Sequence, residues 1–323
     1  MRESYYKPSG QITFKFLIYF ALLALVSIPI LSTAYIYAAH YIPFIYLNIL
    51  IAAGCGVLLG VIIRKAIKMG KARNPLLVML LTLAATVAMK YVQWCIYIPL
   101  ALDNIFGAYD AYGGITIAGR FIESWFFFIT PRDVFQLAAS INEVGAWSIN
   151  TSSAQAPQAV SGVMLLIVWI FEFIIMAATA VVVTMQQVRF PFSEESDNWY
   201  EDSKKGFEMD KPEEFEAIKA SMENGNYTDL VQLAKAGKTN DRLFLKVSLF
   251  QPPQPSDAEW SQRFNTSEPG YMSIDQVTVA KKGKVNSKNL FRYLAIDAQS
   301  MRALVESSVA ARDSEMPSDT VQD

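Results

Sequence analysis

Two residues carry charge in stretches of this chain where charge is expensive. Lys90 is the only charged residue between Pro75 and Leu102, and Glu172 the only one between Ala159 and Val183. Around Lys90, the residues Thr82, Thr86, Gln93 and Tyr97 complete a series spaced four, four, three and four apart, which lays a polar stripe along one face of a helix. If both stretches cross a bilayer, Lys90 lies about 15 residues from one end, roughly 22 Å deep, and Glu172 about 14 residues, roughly 21 Å. An unpaired charge at that depth costs at least about 2.5–3.5 kcal/mol, so the two are expected to face the bundle and meet. Two kinds of chemistry fit such a pair. One is an ion pair that sets helix register. The other is a polar site for an ion, a proton or a small ligand, lined by Thr82, Thr86, Gln93 and Tyr97.

The elements that must hold these residues are apolar helices. A bilayer span needs roughly 20 apolar residues, and four stretches qualify: about 16–39, 41–63, 75–102 and 159–183. Arg2, Lys7 and Lys15 before the first stretch imitate a signal peptide. Its apolar run is about twice the usual signal core, however, and a second span follows at once, so it is expected to be retained. His40-Tyr41-Ile42-Pro43 joins the first two spans as a helical hairpin. Along the second, Asn48, Ala52, Gly56 and Gly60 form a stripe of mostly small residues where another backbone can come close, either inside one bundle or across a homodimer.

Charge placement gives an orientation. The connection from Arg64 to Arg73 holds five Lys and Arg residues and no acid, whereas residues 103–158 hold Arg120 and Arg132 against five acids. The positive-inside rule puts the basic connection, and with it both termini, in the cytoplasm, and the longer loop outside. In that loop Thr130-Pro131-Arg132-Asp133 starts a helix whose apolar face is Val134, Leu137, Ala138 and Ile141. Ile117–Ile129 is aromatic but too short to span, and reads as an interfacial or re-entrant helix. Together they make an external cap.

The chain of 323 residues is 52% hydrophobic and 18% charged, but the two halves differ. Up to Val188 there are 11 Lys and Arg against 7 Asp and Glu; beyond it, 17 against 23. Residues 1–188 are therefore expected to be the transmembrane region, followed by a juxtamembrane linker over 189–210, a cytosolic α+β domain over 211–311 and a disordered tail over 312–323. Within the domain, Asp210 is expected to cap a helix from about Pro212 to Gly225, and a second helix to run from Tyr227 to Ala236. Alternation marks strands at Arg242–Gln251, Tyr271–Ala280 and Leu290–Ile296, the last two flanking the Lys281-Lys282-Gly283-Lys284 turn. Asp297 then caps a closing helix. The basic turn is read as a solvated hairpin tip, or else as a contact for lipid head groups or an acidic partner.

One histidine, His40, and two cysteines, Cys55 and Cys95, argue against a zinc site or a disulfide framework. No Walker A, GxGxxG or GxSxG sequence occurs, so neither an enzyme, a cofactor nor a nucleic-acid partner is expected. Three short stretches carry a resemblance. Pro191-Phe192-Ser193-Glu194-Glu195-Ser196 followed by Trp199, Gly145-Ala146-Trp147-Ser148-Ile149, and Trp169-Ile170-Phe171-Glu172 resemble segments of uncharacterised bacterial inner-membrane proteins whose last span precedes Pro-Phe-Cys-Glu-x-Cys and a Trp. Serines stand here at both cysteine positions, so no metal or redox role carries over. The expected function is that of a multi-pass inner-membrane protein, a helical bundle embedded in the lipid bilayer and anchoring a domain that binds a cytosolic protein through residues 200–311. The alternatives are a small transporter or channel subunit built on Lys90 and Glu172, and a membrane sensor with an external cap.

Overall fold

A computed structural model describes residues 4–42, 45–106, 127–145, 147–149, 158–202, 206–252, 268–280 and 283–315. The chain forms two units: Ser9–Arg189, and Met1–Pro8 together with Phe190–Asp323.

The first unit is built on four long helices, α1 (Phe14–Tyr41), α2 (Ile45–Gly70), α3 (Pro75–Phe106) and, after the shorter α4 (Pro131–Val144), α5 (Gly162–Val188). All four long helices have the length and apolar composition to cross a membrane. Large apolar side chains cover the outer faces of these helices as well as filling the interior. Leu25, Val26, Ile30, Leu50, Leu80, Val163 and Met164 point outward, whereas Ser32, Thr82, Thr86, Gln93, Thr184 and Gln187 are buried beside Leu59, Ile63, Met89 and Met176. α1 starts where the Thr13 hydroxyl accepts from the Phe16 N–H, 3.2 Å away. α2 lies against α5 so closely that side chains at Gly56 and Gly60 would run into the backbone of Met176 and Ala180. The small-residue stripe thus packs inside one bundle at these positions.

Three expectations for this unit need correction. Ala159 begins no span. It sits in a two-stranded ribbon of β1 (Trp147–Ile149) with β2 (Gln158–Val160). At the other end α5 continues to Val188, and its final turn buries Gln187, which accepts a hydrogen bond from Arg64. The α4 helix starts where expected, but its first turn is closed by the Thr130 carbonyl, which accepts from the N–H groups of Asp133 and Val134, and the hydroxyl makes no capping bond. Most of the aromatic stretch at 117–129 lies outside the described residues.

The second unit is an antiparallel sheet with helices on one face. β5 (Glu201–Asp202), β7 (Leu243–Gln251), β8 (Gly270–Val279) and β9 (Val285–Ile296) follow in that order, and β6 (Phe207–Asp210) also pairs with β7. Leu245, Val247, Leu249, Met272, Ile274 and Leu294 share one core with Met222 of α6 (Phe215–Glu223), Leu230 of α7 (Thr228–Ala236) and Leu304 of α8 (Ala298–Glu315). Residues 189–210 are not a linker. They form the ribbon β3 (Phe192–Ser193) with β4 (Asn198–Trp199) and supply β5 and β6 to the sheet, where Phe207 and Met209 are buried. Asp210 does not cap α6 either. Its carboxylate accepts from the Thr239 hydroxyl and the N–H groups of Thr239 and Asn240, closing the turn after α7. The expected boundary between the domain and a tail at 311 shifts too, since α8 reaches Glu315.

The boundary at residue 1 also moves. Ser4–Tyr6 belong with the sheet: Tyr5 bridges Leu294, the Tyr6 N–H donates to the Tyr293 carbonyl at 2.9 Å and the Ala295 N–H to Ser4 at 2.8 Å. The Tyr5 ring meets Phe291 edge to face, and its hydroxyl donates to Glu223. A short strand thereby covers part of the outer edge of β9. Deleting residues 1–8 should lower the melting point of the sheet unit, corresponding to about 2 kcal/mol for two backbone hydrogen bonds at roughly 1 kcal/mol each. An unchanged melting transition would show that the strand is dispensable.

Asp297 caps α8 through a 2.9 Å hydrogen bond from the Ser300 N–H. Burial opposes its charge, but the hydrogen bonds from Ser300 and from the backbone N–H groups of Gln299 and Asp297 together outweigh that and hold the carboxyl below the ordinary value; at Asp210 the Thr239 hydroxyl leads in the same direction. A depressed carboxyl stabilises the fold above the unfolded Asp pKa of about 4, and loses that contribution as pH falls through the folded value. Chemical denaturation at stepped pH should therefore show a loss of stability beginning near pH 5 that is smaller in Asp210→Asn with Asp297→Asn.

Candidate functional site

Several buried polar residues of the helical unit gather along α5 where it meets α2 and α3. α3 climbs from Pro75 and α5 descends to Val188, so positions at equal depth face each other. Near the Arg64–Arg73 connection, Arg64 Nε donates to Gln187 Oε1 at 3.3 Å. One turn further, the hydroxyls of Thr82 and Thr184 lie 3.5 Å apart. Thr82 and Thr86 also donate to the carbonyls of Val78 and Thr82, which lets a hydroxyl sit in an apolar interior without an unmet donor.

Lys90 and Glu172 come next. The Lys90 ammonium is 3.5 Å from Glu172 Oε2, and 5.5 Å from the centre of the Tyr35 ring on α1. Met89, the neighbour of Lys90, ties the other two helices to this level: its carbonyl accepts from Ser32 of α1, and its sulfur is 3.9 Å from Cys55 of α2. Gln93 is buried one turn along α3, with Nε2 3.8 Å from Met176 Sδ and with Oε1 lacking a partner. The same is true of Asn48 Oδ1 on α2, a stripe position that sequence spacing grouped with Ala52, Gly56 and Gly60.

Beyond Gln93 the character changes. Trp94 meets Trp169 edge to face at 4.7 Å and Tyr97 at 5.6 Å. Val134 and Ile141 of α4 are buried with Cys95 and Ile98 in this cluster, and Trp94, Tyr97, Trp169 and Phe127 pack around it. Tyr97 therefore belongs to an aromatic plug, although its spacing put it on the polar stripe. Of the residues singled out from sequence, Thr82, Thr86, Lys90, Gln93 and Glu172 line the polar seam. The spacing rule missed Gln187, Thr184, Tyr35 and Ser32, whose signal was the same: a polar residue inside a span.

Elsewhere, Ser193 and Ser196 close on each other. Ser196 Oγ donates to Ser193 Oγ at 2.6 Å and its N–H to the same atom at 2.9 Å, with the Trp199 ring edge-on to Phe192 at 5.0 Å. Among the described residues no group of three or more His, Cys, Asp or Glu is placed to hold a metal ion. Cys55 and Cys95 are buried free thiols. Lys281 and Lys282 of the basic turn lie outside the described residues. Comparison with protein-family models, with curated proteins and with solved structures gives no match.

Proposed function

We propose that this is a multi-pass protein of a bacterial inner membrane whose four-helix bundle anchors a cytosolic protein-interaction domain. The observation that carries the reading is the sheet unit, which has a core of its own and draws residues 4–6 onto its edge. A segment that merely trailed from a bundle would need neither. The many large apolar side chains on the outer faces support insertion in lipid, where those faces need no water-compatible groups. Five positive charges between Arg64 and Arg73 support a cytoplasmic position for that connection and for both termini.

Reporter fusions at each end should both read cytoplasmic. A reporter exported at either end would overturn the topology. Crosslinking of the full-length protein in membranes, followed by mapping of the crosslinked residues, should place a cytosolic protein on residues 200–311. Crosslinks confined to residues 9–189, or none at all, would overturn the interaction reading.

A further inference from the structure

The anchoring role asks nothing of the polar seam, yet the seam is built asymmetrically. From the Arg64–Gln187 contact it runs through Thr184, Thr82 and Thr86 to Lys90, Glu172 and Gln93, then stops at the Trp94–Trp169 plug beneath Val134 and Ile141 of α4. At its inner end three groups are poorly matched as they stand. Lys90 and Glu172 are 3.5 Å apart, well beyond the roughly 2.7–2.9 Å of a direct charged hydrogen bond. Gln93 Oε1 is buried with no donor. Lys90 and Gln93 are one turn apart on α3, and Glu172 and Met176, which touches Gln93, are one turn apart on α5. An ammonium that can give a hydrogen bond, a carboxylate and an amide oxygen that can each take one therefore lie within about one helical turn of each other. A water molecule satisfies all three, accepting from Lys90 and donating to Glu172 and Gln93; buried waters characteristically make about three such bonds.

We propose that Lys90, Glu172, Gln93 and a bridging water form a proton-exchange site, fed along the threonines from the 64–73 end and sealed at the other by the Trp94–Trp169 plug. Lys90 gives a proton to the water as the water gives one to Glu172. One N–H bond breaks and one O–H bond forms, the ammonium and carboxylate become an amine and a carboxylic acid, and no electron moves. A proton arriving past Thr82 and Thr86 then restores the ammonium. Among the described residues, Tyr35 of α1, Cys55 of α2 and Glu172 of α5 are the titratable groups around Lys90, while Tyr35 also donates a hydrogen bond to Glu172 and Tyr97 of α3 interacts with Glu172.

The full chain in liposomes loaded with a pH-sensitive dye tests this. Wild type should hold an imposed pH gradient. Trp94→Ala with Trp169→Ala should dissipate it at least tenfold faster, and adding either Glu172→Gln or the pair Thr82→Val and Thr86→Val should restore the wild-type rate. A plug variant as tight as wild type, or a leak that survives Glu172→Gln, overturns the proposal. If the plug variant does not reconstitute, nitrogen-15 lysine NMR of the otherwise unaltered protein decides. The signal removed by Lys90→Met should exchange with solvent deuterons at least tenfold more slowly once Thr82 and Thr86 are both valine, and an unchanged rate overturns the threonine route.

Discussion

Lys90→Leu should lower the stability of the helical unit by about 3–5 kcal/mol, whereas Lys90→Leu combined with Glu172→Leu should recover most of that loss. The single substitution leaves the Glu172 carboxylate inside the bundle without the cation 3.5 Å away. The double substitution removes both charges and replaces them with apolar volume, which a bundle interior holding Leu59, Met89 and Met176 accommodates. Thermal unfolding of the four variants in lipid nanodiscs gives the coupling directly. Additive losses would mean that the two residues do not act as a pair.

Gly56→Leu should be about as damaging, costing about 3 kcal/mol or more by overpacking, with Gly54→Ala on the same helix as its contrast. A Cβ at Gly56 would lie 2.3 Å from the Met176 carbonyl oxygen and 2.1 Å from Thr179 Oγ1. The hydroxyl can rotate aside, but the carbonyl belongs to the backbone of α5, so the two helices must separate. At Gly54 nothing lies within 4 Å, and alanine there should stabilise the helix by up to about 1 kcal/mol. Melting curves of the two variants should shift in opposite directions. Equal shifts would remove the close approach of α2 and α5 as the cause.

What could be read from the residues alone follows from how strongly lipid constrains a sequence. Charge is so costly in a span that Lys90 and Glu172 stand out, and their depths on antiparallel helices bring them to one level without any knowledge of packing. Helix period likewise put Thr82, Thr86 and Gln93 on one face. Tyr97 shared their spacing, but an aromatic ring with a polar tip suits either a seam or a plug, and only its contact with Trp94 decides. The sheet unit was legible where strands were long and alternating, as in Leu243–Gln251. β3 to β6 were hidden because strands of two to four residues show no period. Tyr5 was hidden for another reason: its strand partner, Leu294, is 289 positions away, and nothing local in residues 4–6 announces the pairing.

That pairing also bears on how the chain is made. Residues 4–6 are synthesised long before 293–295, and four hydrophobic helices are threaded between them. The early strand must wait, its hydrogen bonds met by water, until the sheet that receives it has been translated. It can be received only if both lie in the same compartment, which, on the proposed insertion of the four helices, an even number of crossings ensures and an odd number forbids. On that proposed insertion, a chain that skipped one span would hold its first strand across the bilayer from the sheet and leave the edge of β9 bare. With the four helices inserted as proposed, closing this edge of β9 therefore requires that both ends of the chain lie on the same side of the membrane.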